Sequence, residues 1–223
     1  MTKLTTNIFI CLLLTILSCN QSPRQEKITD ITADTLTSTD NSLEKESFKQ
    51  VVDSSPNELL EFLPTNYSIL NATSGDLNLD GINDYILVLK KNDEDSLFFV
   101  SDGPEKRPLL ILIRDKNNKL KLVRRNDNTV YCFGCGGIMG DPFMGITIKN
   151  GYFSVEHYGG SAWRWTRIIT YKYSKKDNEW FLHKDGSESF YVFEPENVES
   201  KIKTTKDFGK VKFEEFDIYK EDE

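Results

Sequence analysis

Between Asp76 and Asp84 the chain reads Asp-Leu-Asn-Leu-Asp-Gly-Ile-Asn-Asp. A calcium ion takes six to eight hard oxygens at ~2.3–2.6 Å, most of them from carboxylates. A tight loop supplies them from side chains at its first, third, fifth and ninth positions and from a backbone carbonyl at its seventh. Here those positions are Asp76, Asn78, Asp80, Asp84 and the carbonyl of Ile82. Gly81 permits the sharp turn around the ion, and Leu77 and Leu79 are placed to point away and pack. The competing reading is a solvated turn without metal, because Asp, Asn and Gly dominate turns whatever they bind. The loop is not an EF-hand. Its twelfth position is Leu87, where a bidentate Glu is required, and an apolar strand follows where a helix should. Calcium bound here is expected to be structural, since no catalytic side-chain set lies beside it.

The second chemical constellation is Tyr131-Cys-Phe-Gly-Cys-Gly-Gly-Ile-Met-Gly-Asp-Pro-Phe143. Cys132 and Cys135 have three readings. A structural disulfide in a tight loop leads, because a lone cysteine pair outside the cytoplasm is usually oxidised. Thiol redox chemistry needs a low-pKa thiolate at a helix N-terminus, and no helical run follows Cys135. A zinc site needs two further ligands, and the only histidines are His157 and His183.

The third is His157-Tyr-Gly-Gly-Ser-Ala-Trp-Arg-Trp165. Trp163 and Trp165 share a strand face with Ile169, Tyr171 and Tyr173, the pattern of a core-facing strand. The sharper reading is an aromatic ligand surface for a glycan or peptide, with Tyr158 and Arg164 at its edge. Arg167 interrupts that face and is expected either to pair with a carboxylate or to lie near the strand's exposed end. His157 shares a face with Phe153 and Val155, so a half-buried, hydrogen-bonded histidine is expected. Catalysis has little support: no Gly-x-Ser-x-Gly elbow, His-Glu-x-x-His or phosphate-binding glycine loop occurs.

The elements that must position these groups are mostly strands. Apolar blocks at Tyr85–Leu89, Leu97–Val100, Leu109–Ile113 and Leu120–Val123 are followed by Ile146–Ile148, Tyr152–His157, Trp163–Tyr173, Glu179–His183, Ser189–Phe193 and Val211–Tyr219. Asp115–Asn118, Lys149–Gly151 and Lys175–Asn178 have the size and composition of hairpin turns. Asn57–Leu63 reads as one short N-terminal helix that Pro64 stops. The expected class is mainly β: an antiparallel meander arranged as a barrel, sandwich or propeller-like sheets, forming one domain over residues 57–223.

Ahead of that domain, Lys3 is the only charge before the apolar run Ile8–Leu17, which is too short to span a bilayer. The run ends in Ile16-Leu17-Ser18-Cys19, which resembles the lipobox of bacterial lipoproteins. That resemblance implies a signal peptide over residues 1–18 and acyl chains on Cys19. Residues 19–56 are poor in apolar side chains and read as a flexible tether, spanning ~35 Å if coil-like. With 28 basic and 35 acidic residues the chain carries a net charge of −7, which argues against nucleic acid as a partner.

Ser74 to Leu89, with its Gly-Asp-x-Asn-x-Asp-Gly-x-x-Asp core, resembles the FG-GAP or VCBS-type calcium loop of integrin-like propellers. It occurs once, whereas a propeller repeats it in several blades. The whole chain looks like bacterial lipoproteins that carry a single such loop. The resemblance implies an envelope protein, lipid-anchored at the periplasmic face or the cell surface, and brings no activity with it. The leading reading of its role is a module that binds an envelope protein, peptide or glycan. The alternative is an envelope enzyme: a thiol-disulfide oxidoreductase using Cys132 and Cys135, or a carboxylate-dependent hydrolase.

Overall fold

The structure, a computed structural model, describes residues 57–97 and 104–220. The signal segment, Cys19 and the tether lie outside the described residues. Two antiparallel meanders make up the fold. The first contains β1 (Tyr67–Gly75), β2 (Asp84–Lys91), β3 (Leu109–Arg114) and β4 (Leu120–Asn126) in sequential order. The second contains β5 (Phe143–Lys149), β6 (Tyr152–Gly160), β7 (Trp163–Ser174), β8 (Glu179–Tyr191) and β9 (Glu194–Thr204), also sequential. The hairpin turns lie where the sequence places them. Asn150 and Gly151 take positive φ of 53° and 73°, and Asn118 and Asn178 take 62° and 51°. Such backbone matches the right-handed twist of the flanking strands.

The two sheets share a core. Ile86 and Val88 of β2 and Leu109 and Ile111 of β3 are fully buried in one cluster with Phe153, Val155, Ile169 and Tyr171 of the second sheet. The alternate residues Leu87, Leu89, Leu110 and Leu112 are buried on the other face, with Leu59 of the 3-10 helix Asn57–Phe62. β2 and β3 are therefore covered on both sides, which explains their unbroken apolar runs. Burying Leu59 alone contributes roughly 1.5–3 kcal/mol. The fold is a two-sheet stack capped by a short helix, and neither sheet closes into a barrel or repeats as a propeller.

Several expected elements differ. Leu97 ends a short helix, Glu94–Leu97, instead of starting a strand, and residues 98–100 lie outside the described residues. Ser189–Phe193 is no separate strand, because β8 continues unbroken to Tyr191. Val211–Tyr219 is irregular, with one 3-10 turn at Phe213–Glu215 and a single bridge between Lys212 and Phe181. Its apolar residues serve as plugs: Phe213 and Ile218 are buried in the inter-sheet core, and Asn126 donates from Nδ2 to the carbonyls of Phe213 and Phe216. β1 and β9 are additional strands. β9 has no buried residue and no apolar alternation strong enough to mark it, so its pairing with β8 alone makes it a strand.

Candidate functional site

The Asp-Asn loop joins β1 to β2, whose ends pair Gly75 with Asp84. Asp76 accepts the backbone N–H of Asp80 at 3.1 Å and of Gly81 at 3.0 Å, so the chain winds around its carboxylate. Asn78 Oδ1 accepts from Asp80 N–H at 3.0 Å, and Asp80 Oδ1 accepts from Ile82 N–H at 2.8 Å. Gly81, at φ 86°, takes the turn that a Cβ would strain. Asp84 differs from the other three in being fully buried. Its two oxygens accept the N–H groups of Leu77 and of Arg114, each at 2.9 Å, tying the loop to β3. Burial raises its pKa above the ordinary carboxylate value, and the charges of Asp80 and Asp76 add to that.

The loop also reaches the second sheet. Leu77 is buried in the inter-sheet core, and its carbonyl accepts from Trp180 Nε1 at 3.3 Å. Leu79 is exposed but lies on the β5–β6 turn, where a Cβ on Gly151 would meet its side chain at 2.9 Å. Lys175 Nζ donates to the Leu79 carbonyl at 3.1 Å. Among the described residues, no three acidic, histidine or cysteine side chains are gathered as a metal cluster. The loop nevertheless suits a hard cation: its polar groups are carboxylates, an amide and a carbonyl, and each carboxylate oxygen holding one amide keeps a second lone pair.

Cys132 and Cys135 form a disulfide. Cys132 is buried, and the 3-10 segment Phe133–Met139 that follows breaks at Gly137 instead of forming a helix. His183 packs edge-on against Tyr152 at 5.2 Å, and His157 accepts from Tyr131 N–H, so neither turns toward the cysteines. The glycines around the disulfide have a packing reason. A Cβ on Gly137 would lie 3.3 Å from the carbonyl oxygen of Gly160, and one on Gly159 would lie 3.0 Å from Gly136 Cα and 2.5 Å from the Trp165 ring. The two Gly-Gly pairs are thus complementary surfaces that let the disulfide loop lie backbone to backbone on the end of β6.

Beneath that loop lies a group that sequence reasoning missed. Arg107 is fully buried and bonds Glu94 through Nε at 3.0 Å and Nη2 at 2.7 Å. It bonds Asp141 through Nη1 at 2.7 Å and Nη2 at 2.8 Å, and Nη1 also reaches the Tyr131 carbonyl at 3.3 Å. Burial pulls the Arg107 pKa down, but the two carboxylates more than reverse that and keep it charged. No period or spacing marks it, because its partners lie 13 and 34 residues away.

The aromatic surface is divided by strand alternation. Trp163 and Trp165 are inner-facing with Arg167 and Ile169, while Tyr158 and Arg164 fall on the opposite face. Trp163 is exposed and packs against Tyr191 at 5.5 Å. Trp165 lines a cleft that exists because the sheets differ in length: β7 and β8 run 12 and 13 residues, β3 and β4 only 6 and 7. Where the first sheet stops, the inner face of the second presents Trp165, Arg167, Asp185, Ser187, Lys201 and Lys203. With Tyr131 and Tyr219 opposite, they bound an open cleft of about 620 Å³.

Arg167 has the carboxylate partner expected of it. Its guanidinium grips Asp185 at 3.0 and 2.7 Å and donates to the Tyr131 hydroxyl at 2.8 Å. Burial lowers its pKa, and Asp185 outweighs that. The Tyr131 ring is a hub, edge-on to His157 at 5.0 Å, Trp165 at 5.6 Å and Tyr219 at 5.8 Å. Burial pushes the Tyr219 hydroxyl up to about 12. His157 is only 2 % exposed, and burial lowers its pKa to about 4, so it is neutral near pH 7. It makes the hydrogen bond expected of it through Nε2, whereas Nδ1 forms no well-formed bond. The arrangement suits binding: an aromatic wall beside a locked ion pair and a row of lysines. The chain matches no protein-family model and no curated protein.

Proposed function

We propose that the chain is an exported, lipid-anchored envelope protein whose β-domain binds a peptide or glycan in the cleft beside Trp165, with a structural calcium in the β1–β2 loop. The observation that carries this reading is the cleft, whose ~620 Å³ lies within the range of small-ligand sites. Its ring faces and fixed polar groups are the means by which proteins orient sugars and peptide side chains. The lipid anchor and tether rest on Ile16–Cys19 and the composition that follows. Calcium would be held by Asp76, Asn78, Asp80, the Ile82 carbonyl and Asp84, and would tighten a loop that packs on both sheets.

The test pairs location with binding. Cys19→Ser is expected to move the protein from the membrane fraction to the soluble one. The mature chain is then titrated with peptidoglycan-derived glycopeptides and with neutral glucan oligosaccharides, following heteronuclear NMR shifts. Shifts confined to residues around the cleft, and lost in Trp165→Ala, support the reading. Shifts elsewhere, or unchanged in that variant, would overturn the cleft assignment.

A further inference from the structure

β9 ends the second sheet, and among the described residues no strand covers its outer edge. A long exposed edge is a template for pairing with another chain, and proteins normally blunt it with charge, proline or a bulge. β9 carries all three, but unevenly. Pro195 and the register shift beside Phe190 sit at its start, leaving Val198–Thr204 in regular register with β8. Within that regular part Val198-Glu-Ser-Lys-Ile202 is self-complementary when read about Ser200.

We infer that two copies of the chain associate edge to edge through β9, antiparallel, with the two-fold axis passing between the two Ser200 residues. In this register Glu199 of each copy faces Lys201 of the other, and Val198 of each faces Ile202 of the other. An isologous antiparallel pair must place same-face residues opposite one another, so the neighbouring registers differ by two residues in their pairing. One sets Glu199 against itself and the other sets Lys201 against itself. Like charges directly opposite are destabilising, whereas opposite charges and β-branched apolar pairs stabilise. About Glu199 no opposite pair compensates. About Lys201, Glu199 faces Lys203 of the other copy, but Val198 then faces Thr204 and Ile202 faces Ser200. Only the register about Ser200 therefore pairs both the charges and the apolar residues. Lys201 has three N–H donors, so this pairing does not require it to lack other contacts.

The apolar residues add a second argument. Val198 and Ile202 are 49 % and 59 % exposed on the outer face, away from the core. Across the sheet Ile202 is in line with Gly186 and Ile168, and Val198 with Phe190 and Arg164. Pairing about Ser200 joins these rows, so that Ile168 and Ile202 of one copy run on into Val198 and Phe190 of the other. Side chains that are isolated in one copy become one apolar strip across the dimer. The ladder is short, so the association is concentration-dependent.

Sedimentation velocity of residues 20–223 over a concentration series tests this directly. A monomer–dimer equilibrium is expected. Glu199→Lys and Lys201→Glu each put two like-charge pairs across the axis and should weaken it roughly tenfold. The double variant restores both pairs and should recover most of the affinity, which mere surface disruption would not do. In oxidising buffer Ser200→Cys should cross-link to its copy, because opposed Cβ atoms in such a pair lie within disulfide reach. Glu196→Cys, which would face Thr204, should not. A monomer at every concentration, or a dimer insensitive to both single charge changes, would overturn the proposal.

Discussion

His157 is a buried base whose titration makes this fold less stable in acid. Its Nε2 accepts from Tyr131 N–H at 3.4 Å, and its ring lies against Tyr131 and Phe143. Burial is the main cause of its lowered pKa. The Arg167 backbone opposes the lowering, the charges of Arg167 and Arg107 add to it, and that of Asp141 opposes it. The folded value is about 4 against 6.5 for the unfolded chain. Between those values the unfolded state holds the extra proton, so the His157 contribution to stability is complete above pH 6.5 and is lost as pH drops toward 4. At ~1.4 kcal/mol per unit of difference, about 3 kcal/mol is lost across the window.

Asp84 works in the opposite direction. Its folded pKa is raised, so the folded state holds more protons and gains stability on acidification. The contribution of His157 is therefore isolated by comparing the wild type with His157→Phe in urea unfolding from pH 7.5 to 4.5. Phenylalanine keeps the ring contacts but leaves Tyr131 N–H without an acceptor, a loss of ~1–3 kcal/mol at every pH. That loss is an offset and not a slope. The advantage of the wild type over the variant should fall with pH by most of the ~3 kcal/mol, reaching zero or reversing near pH 4.5. A constant difference would refute the assignment of His157 as a buried neutral group.

Removing the cation of the buried triad should be severe. Arg107→Met leaves the buried Glu94 with only the longer Lys90 contact at 4.0 Å, and urea unfolding should show a loss of roughly 3–5 kcal/mol; Arg107→Met with Glu94→Gln should recover part of it. Calcium in hundredfold excess over its dissociation constant should stabilise residues 20–223 by ~2.7 kcal/mol relative to chelator. For a domain of this size that is roughly 5–10 °C in a thermal melt. The shift should vanish in Asp80→Ala without loss of the fold, and its absence in the wild type would reduce the loop to a plain turn.

Features governed by neighbours in sequence were legible from the chain alone. Unbroken apolar runs marked β2 and β3, alternating apolar residues marked β6 and β7, and Asn-Gly at 150 and 151 marked a turn because few other residues tolerate that backbone. The oxygen-bearing residues of the β1–β2 loop follow from their spacing, and the need of Arg167 for a carboxylate follows from its place on an apolar face. What folding decided depends on residues far apart in the chain. Asp84 reads from its spacing only as a ligand position of the loop, and folding also makes it a buried pin, because β3 brings the Arg114 N–H to it across 30 residues. Arg107 was invisible because its position outside any strand says nothing of Asp141, 34 residues on. The cleft arises only because the strands of one sheet outrun those of the other, exposing inner-face residues that their own alternation assigns to the core. Sequence-local rules dictate how the backbone of each strand and turn runs. Which side chain meets which depends on the docking of two sheets, and no stretch of either sheet carries that information by itself.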